Sequence, residues 1–361
     1  MQDKKILEIR KKNWKKCGVK GQGIGRTVPF LFMGKIIGLT FDLKTDYPLK
    51  EGDLPDANAE FDHPQTIDLI SQAIESLGHQ VKRIGNVTSL LKNLEHLDVD
   101  IVFNISEGLT GRNRESQVPV ILEIKNIPFV GSDGLTLALT LDKLMAKKIF
   151  LAEEIPTPKF IEVKQSNHLI DTDHFKFPLM VKPRFEGSSI GIDLNARVGN
   201  FEALIKRADY IINTYKQPAL VEEFIQGKEF TVAIVGNNPP EVLPPVQVKI
   251  EGKLDLGDRF YTFGHISSNE LEYVCPAPIS KELEDKIKHL AQRAYQAVDC
   301  RDFGRVDFRV DAQGNPYVLE INPLPCLASD DVFMLIPKVL EISYPEMIGK
   351  ILQSAFKRYS L

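Results

Sequence analysis

The sequence predicts an α/β protein in which a parallel, helix-covered sheet comes first and antiparallel strands follow. Three observations predict it. Up to Gly131, short apolar runs alternate with stretches of helical period. After Gly131 that alternation breaks down and strands follow one another more closely. Near the C-terminus, two alternating runs flank the turn-forming stretch Asp311-Ala312-Gln313-Gly314-Asn315-Pro316.

The first run, Lys35 to Phe41, reads as a buried strand through Ile36, Ile37, Leu39 and Phe41. A long polar loop, Asp42 to Asp62, separates it from a helix that starts at Pro64 and stops at Gly78. Proline suits the first helical turn because its missing N–H has no partner to lose there, and glycine suits the residue just past the end. A strand from Gln80 to Ile84, a helix from Val87 to Leu97 and a strand from Asp100 to Ile105 follow. A helix from Val118 to Lys125 and a strand from Pro128 to Gly131 complete this part. Beyond it come a helix from Thr140 to Glu153 and strands at Phe160 to Val163, Pro178 to Lys182 and Ile190 to Leu194. A helix from Phe201 to Tyr215 precedes strands at Ala219 to Glu223 and Glu229 to Val235, and the chain closes with helices around Lys281 to Val298 and Pro345 to Arg358. The expected partition is a basic leader over 1–33, an N-terminal α/β domain over 34–131, a central domain over 132–216 and a C-terminal domain over 217–361.

Composition excludes several function classes. The chain carries a net charge of −4, yet residues 1–32 hold nine Lys/Arg against Asp3 and Glu8, so the remainder is strongly acidic. An acidic body is a poor nucleic-acid binder, and the basic leader reads as a solvated tail with Met33 as a second candidate start. No apolar run reaches the roughly 20 residues that cross a bilayer. Cys17, Cys275, Cys300 and Cys326 are scattered and form no C-x-x-C pair, which speaks against a zinc site or disulfide framework and for a reducing, cytoplasmic setting.

The chemistry concentrates in the C-terminal hairpin. Strand side chains repeat with period two, so Arg305, Asp307 and Arg309 share one face, as do Glu320 and Asn322. A symmetric hairpin pairs residues whose numbers have a constant sum, which sets Asp307 opposite Glu320 and Arg305 opposite Asn322. Two opposed carboxylates repel unless a cation lies between them. Oxygen ligands on rigid strands suit a hard ion such as Mg2+. Upstream, Lys182 ends an apolar strand, and Glu186-Gly187-Ser188-Ser189-Ile190-Gly191 follows at once. Small residues there let backbone N–H groups approach phosphate oxygens. Lys143 in a helix and the carboxylates Glu222, Glu223 and Glu229 near strand ends are further candidates.

Taken in order, Asp142-Lys143, Val181-Lys182-Pro183 with the Gly/Ser loop, Glu222 to Val232, Gly304-Arg305-Val306-Asp307 and Leu319-Glu320-Ile321-Asn322-Pro323 resemble the D-alanine–D-alanine ligase branch of the ATP-grasp superfamily. The resemblance covers Gly34 to the C-terminus. It implies the ATP-grasp fold, with 132–216 and 217–361 as its two nucleotide-binding parts, and an ATP-dependent ligase that joins a carboxylate to an amine through an acyl phosphate. It further implies that Lys143 and Lys182 contact ATP phosphates, that Ser188 and Ser189 lie in the loop closing over them, and that Glu222 and Glu229 meet adenine and ribose. Asp307, Glu320 and Asn322 would hold two Mg2+ ions, with Mn2+ as a substitute, and Arg305 would stabilise the tetrahedral intermediate. Its partners would be small amino-acid-like molecules, and it admits a homodimer.

The family's substrate-reading segments are altered. Its Gly-Gly-x-Ser-x-Glu is absent, and the first strand runs into Gly38-Leu39-Thr40-Phe41-Asp42-Leu43. Its His-Gly region reads Asn104-Ile105-Ser106-Glu107-Gly108, and its flexible lysine–tyrosine loop reads Tyr261-Thr262-Phe263-Gly264-His265. Cys326 stands where a glycine N–H normally faces the oxyanion, and Asp330-Asp331 offers no counterpart of the acceptor serine. The expectation is intact ATP chemistry with D-alanine dimerisation weak or absent. The competing reading is a silent ATP-binding regulatory protein of the same fold, and phosphate release from ATP with and without an amino-acid mixture separates the two.

Overall fold

The computed structural model describes residues 34–165, 174–266 and 268–361, so the expectations for the basic leader and for Met33 lie outside the described residues. The first sheet holds β1 (Ile36–Phe41), β2 (Gln80–Gly85), β3 (Ile101–Ile105) and β4 (Phe129–Val130), all parallel in the order β2-β1-β3-β4. Central strands covered on both faces need continuous apolar runs, and every residue of β3 is buried. Helix Pro64–Ser76 lays Ile67, Ile70, Ala73 and Ile74 on this sheet. The expected helix to Leu97 is shorter, spanning Val87–Asn93 and tightening into a 3-10 turn over Leu94–His96.

The same core takes Phe333 and Ile336 from helix Val332–Val339, and Met347, Ile348, Ile351 and Phe356 from helix Tyr344–Tyr359. The end of the chain therefore packs on its first sheet. Ser343 and Glu346 form a reciprocal cap at the start of the last helix.

The second sheet holds β5 (Phe160–Val163), β6 (Leu179–Pro183), β7 (Arg197–Val198) and β8 (Ala219–Glu223), antiparallel in the order β5-β8-β6-β7. Helix Phe201–Tyr215, capped by Asn200, covers it with Leu204, Ala208 and Ile211. The strand expected from Ile190 to Leu194 does not form. Ser188 and Ser189 take left-handed φ values of 42° and 55°, and Gly191 takes 73°, so the chain turns back on itself. Ile190 N–H donates to Gly187 O and Ile192 N–H to Ser189 O instead of joining a ladder.

The single helix expected from Thr140 to Glu153 is two, Gly134–Leu141 and Lys143–Ala152. Asp142 leaves the helical region with ψ 87° and its carboxylate accepts from Met145 N–H, capping the second helix. Lys143 thereby opens a helix instead of lying in the middle of one.

The third sheet holds β9 (Lys228–Val235), β10 (Glu241–Val242), β11 (Val246–Ile250), β12 (Leu271–Val274), β13 (Phe303–Val310) and β14 (Pro316–Asn322). Its order is β12-β11-β9-β13-β14, with β10 on β9, and every pairing is antiparallel. Helix Lys281–Ala297 covers one face through Ile287, Leu290, Ala291 and Ala294, against Val306, Phe308 and Val310 of β13. The alternate side chains of β13, including Arg305, Asp307 and Arg309, line the cavity on the other face. Arg305 pairs with Asn322 and Asp307 with Glu320, the register the constant-sum rule gives, and a bulge follows immediately between Asp307 and Phe308. No helix among the described residues is long and apolar enough to cross a membrane.

Candidate active site

Sheet edges and helix starts from all three regions converge on one cavity of about 480 Å3. Twelve acidic side chains line it against five lysine and arginine side chains, and burial raises several of those acids, Glu107 and Glu115 among them, so that protons balance part of the excess. Every site residue expected from the sequence lies on its wall: Lys143, Lys182, Ser188, Ser189, Glu222, Glu229, Arg305, Asp307, Glu320 and Asn322.

The hairpin forms the floor. Arg305 clasps Asp307 through two hydrogen bonds of 3.0 and 2.9 Å. Asp307 also accepts from the Thr231 hydroxyl at 2.7 Å and from Asn322 Nδ2 at 2.9 Å. Glu320 receives Lys143 Nζ at 2.7 Å. Burial alone would raise the Glu320 carboxyl, but the ammonium groups of Lys143 and Lys182 and the Arg305 guanidinium outweigh it and bring the group down to about 2. It is a carboxylate at any neutral pH. Asp307, Glu320 and the amide oxygen of Asn322 thus present oxygen donors side by side on two rigid strands. That donor set fits a hard divalent cation.

A second charged group was not legible in the sequence. Glu222, 2% exposed on β8, lies between Lys147 Nζ at 2.5 Å and Lys182 Nζ at 2.7 Å. Lys147 also donates to the Thr157 hydroxyl at 2.7 Å, and Thr157 in turn donates to Val318 O. Burial drives the Lys147 ammonium down to about 8 against the pull of Glu222. Burial also opposes ionisation of Glu222, yet the two lysines hold its carboxyl below the usual range. Nothing in the spacing marks Lys147: it sits one turn after Lys143 among Leu144, Ala146 and Phe150, on the buried side of its helix.

Glu229 on β9 is steadied by Arg309, whose guanidinium also donates to the carbonyls of Ile225, Gly257 and Arg259. Burial raises the Glu229 carboxyl although Arg309 counters it. Arg309 is therefore a positioning residue for Glu229 and for the chain around Gly257.

The Gly/Ser loop is tied down by the long polar loop between β1 and the first helix. Glu60 accepts Gly187 N–H at 2.7 Å, and Asp56 accepts Gly191 N–H and the Tyr215 hydroxyl, each at 2.8 Å. A Cβ on Gly187 would sit 2.5 Å from Glu60 Oε1, so only glycine admits this approach. Arg114 bridges the two loops, donating to both oxygens of Glu60, to Glu186 and to Phe185 O. Asp56, Glu60 and Arg114 escape sequence reasoning because their partners are 54 to 159 residues away.

Directly after β14, Leu324 to Ala328 bring Cys326 to the wall. The residue is exposed to the cavity, yet protein surrounds its thiol, and burial with nearby Asp331 and Asp62 pushes it far above its ordinary value. It stays a thiol and is no nucleophile at neutral pH. Asp331 caps helix Val332–Val339 and stands 3.9 Å from Arg305; burial raises its carboxyl to about 6.

The family model described as D-ala D-ala ligase C-terminus matches residues 149–353. A D-alanine–D-alanine ligase of Carboxydothermus hydrogenoformans is 33% identical over 299 residues, covering 80% of this chain and 91% of that protein. An uncharacterized protein of Sinorhizobium fredii, y4sG, is also 33% identical, over 300 residues, covering 81% and 88%. Among solved structures, D-alanine–D-alanine ligase from Bacillus anthracis complexed with ATP aligns with a TM-score of 0.71 at 21% identity, covering 90% of this chain and 98% of that one. The VanG D-Ala:D-Ser ligase of Enterococcus faecalis aligns with a TM-score of 0.68 at 22% identity, covering 89% and 99%. Both likenesses are likenesses of fold.

Proposed function

This chain belongs to the D-alanine–D-alanine ligase family of the ATP-grasp superfamily, and from that premise we propose that it joins a carboxylate to an amine at the expense of ATP, through an acyl phosphate. The observation that carries the reading is the convergence of Arg305, Asp307, Glu320, Asn322, Lys143 and Lys182 on one cavity wall beneath the Gly/Ser loop. Such a set has no protein nucleophile. It is suited to phosphoryl transfer, which needs positioning and charge compensation more than covalent help.

Asp307, Glu320 and Asn322 would hold Mg2+, which when bound neutralises phosphate charge. Lys143 and Lys182 sit as ion-pair partners of Glu320 and Glu222, ready to transfer those contacts to phosphate oxygens. Ser188 and Ser189 expose their turn to the cavity while Glu60 and Asp56 hold its two ends. The substrate carboxylate attacks the γ-phosphorus and ADP departs. The amine then attacks the acyl carbon, phosphate leaves with its oxygen, and the amine gives up a proton. Arg305, fixed by Asp307, supplies positive charge where the tetrahedral oxyanion develops. The docked loop excludes water, which would otherwise hydrolyse the acyl phosphate.

The altered substrate segments support a substrate pair other than two D-alanines. A site whose polar groups pair with one amino acid rejects others strongly, because unmatched buried groups are costly. ADP formation across a panel of amino acids, with D-alanine alone as one member, tests this. Efficient D-alanyl-D-alanine synthesis contradicts the substrate reading, and ADP formation with no member of the panel contradicts the ligase reading. The silent alternative has less support, since the carboxylates, the amide and the arginine are all present together.

A further inference from the structure

The end of the cavity farthest in sequence from the hairpin is built from carboxylates whose charge the protein does not balance. Glu60, from the long polar loop, Glu107, from the turn after β3, and Glu115, from the buried 3-10 turn Arg114–Ser116, bring carboxylate oxygens within 4.8 Å of one another. Gly108, with φ 74°, makes the meeting possible: a Cβ there would lie 2.6 Å from Arg114 O. Arg114 is the cation built into this cluster, and it is spent. Its guanidinium donates to both oxygens of Glu60, to Glu186 and to Phe185 O. Glu60 in turn is filled by Arg114 and by Gly187 N–H.

Glu107 and Glu115 are different. Neither carboxylate accepts a hydrogen bond or enters an ion pair among the described residues, although both line the cavity. Glu115 is only 8% exposed, so it is a buried acid, turned to the cavity, without a partner. Buried polar groups are nearly always hydrogen-bonded, and an orphan of this kind costs about 1–3 kcal/mol, more when charged. Burial drives the Glu115 carboxyl up to about 8, with Glu60 adding to the rise and Arg114 opposing it, and burial with Glu115 and Glu60 nearby also raises the Glu107 carboxyl well above its ordinary value. The protein therefore balances this pocket with protons where a ligand's cationic nitrogens could do so.

We propose that Glu107 and Glu115, with Glu60 beside them, form a subsite for a ligand bearing two cationic nitrogens, such as a diamine or the amino groups of a diamino acid. Two unpartnered carboxylates call for two positive charges, and N–H donors satisfy their lone pairs as well as their charge. A divalent metal is the competing occupant of the same three carboxylates, although both oxygens of Glu60 already accept hydrogen bonds, and the binding test separates the two. Because this subsite opens into the cavity of the ligase chemistry, a diamino acid is the substrate class it selects there, an extension that rests on the function proposed above.

The subsite can be tested without turnover. Binding of 1,4-diaminobutane, propylamine and MgCl2 to the full chain is measured by calorimetry, for wild type, Glu107→Gln and Glu115→Gln. The melting temperature of each variant serves as a folding check, and Glu115→Asp stands in should Glu115→Gln not fold. The diamine is expected to bind at least about tenfold more tightly than propylamine, ~1.4 kcal/mol. Each Gln variant should lose that preference while melting at or above the wild-type temperature, since a buried acid without a partner has been replaced by a neutral amide of the same shape. Equal binding of diamine and monoamine overturns the subsite, as does a preference that survives in both variants. Binding of MgCl2 that the diamine displaces and the Gln variants abolish also overturns it in favour of a metal site. ADP formation with ornithine and with the wider amino-acid panel is then measured separately: its absence with ornithine alone, with diamine binding intact, contradicts the diamino-acid extension and leaves the subsite standing, and its absence with every member contradicts the ligase reading.

Discussion

Replacing Glu222 by Gln keeps the shape of the side chain and removes the charge that two buried lysines share. Lys147 is fully buried and Lys182 is 6% exposed, so neither ammonium can turn to water when its partner is neutralised. Breaking a buried pair from one side costs about 3–5 kcal/mol, because an uncompensated charge is left behind. With an unfolding entropy of roughly 2.1 cal/mol/K per residue, a chain of 361 residues unfolding in one step loses about 4–7 °C in Tm. The loss must depend on pH. Lys147 titrates near 8 in the folded protein against 10.5 for a free lysine, so the stability tied to it is full above 10.5 and is lost as pH falls through 8. Without Glu222 its folded pKa drops further, and the gap between variant and wild type widens as pH falls below 8. Adding Lys147→Met to the variant removes one of the two orphaned charges and should recover at least half of the lost Tm. Thermal melts at pH 6, 7 and 9 measure all of this. A variant that melts with wild type at pH 7, or a gap that widens toward pH 9, refutes the account of the lysine–glutamate–lysine group.

Glu320→Gln should abolish ATP-dependent turnover and lower Tm by a few degrees without unfolding the chain, since it leaves the buried Lys143 ammonium short of its carboxylate, a loss of about 3 kcal/mol; ADP release and Tm measured on one preparation check it, and normal turnover refutes the metal assignment. Gly187→Ala should push Glu60 off the loop and raise the KM for ATP about tenfold, ~1.4 kcal/mol, with Tm barely moved; an unchanged KM would show that the Glu60 contact does not help close the site.

Much of this architecture is legible because its signals are local. The hairpin carries period-two alternation and a turn, and those two facts fix which residues face each other across β13 and β14. The bulge after Asp307 comes one step too late to disturb that register. Elsewhere local signals mislead. Leu135 to Leu141 alternates Leu with Thr or Ala, a strand-like pattern, yet it lies in helix Gly134–Leu141 because Asp133 caps the start and the buried faces of Leu137 and Leu141 demand it. Pro337 hides helix Val332–Val339, in which it sits two residues before the end. The left-handed serines that replace the expected strand at Ile190 are imposed by Asp56 and Glu60 from a distant loop, which no window of sequence contains. The same holds for the candidate site: residues on a common strand were found, whereas Lys147, Arg114 and Glu115 owe their importance to partners brought in by tertiary packing.

The central claim is that a carboxylate is activated by phosphorylation before an amine attacks it. Transfer of oxygen from substrate to phosphate tests it most directly. The protein is incubated with ATP, Mg2+ and a panel of amino acids labelled with 18O in their carboxyl groups, and the phosphate released is analysed by mass spectrometry. Acyl-phosphate formation followed by amide synthesis carries one labelled oxygen into each phosphate, in step with ADP and amide. ADP and phosphate formed without label would mean that water, not a carboxylate, takes the phosphoryl group, and would contradict the account.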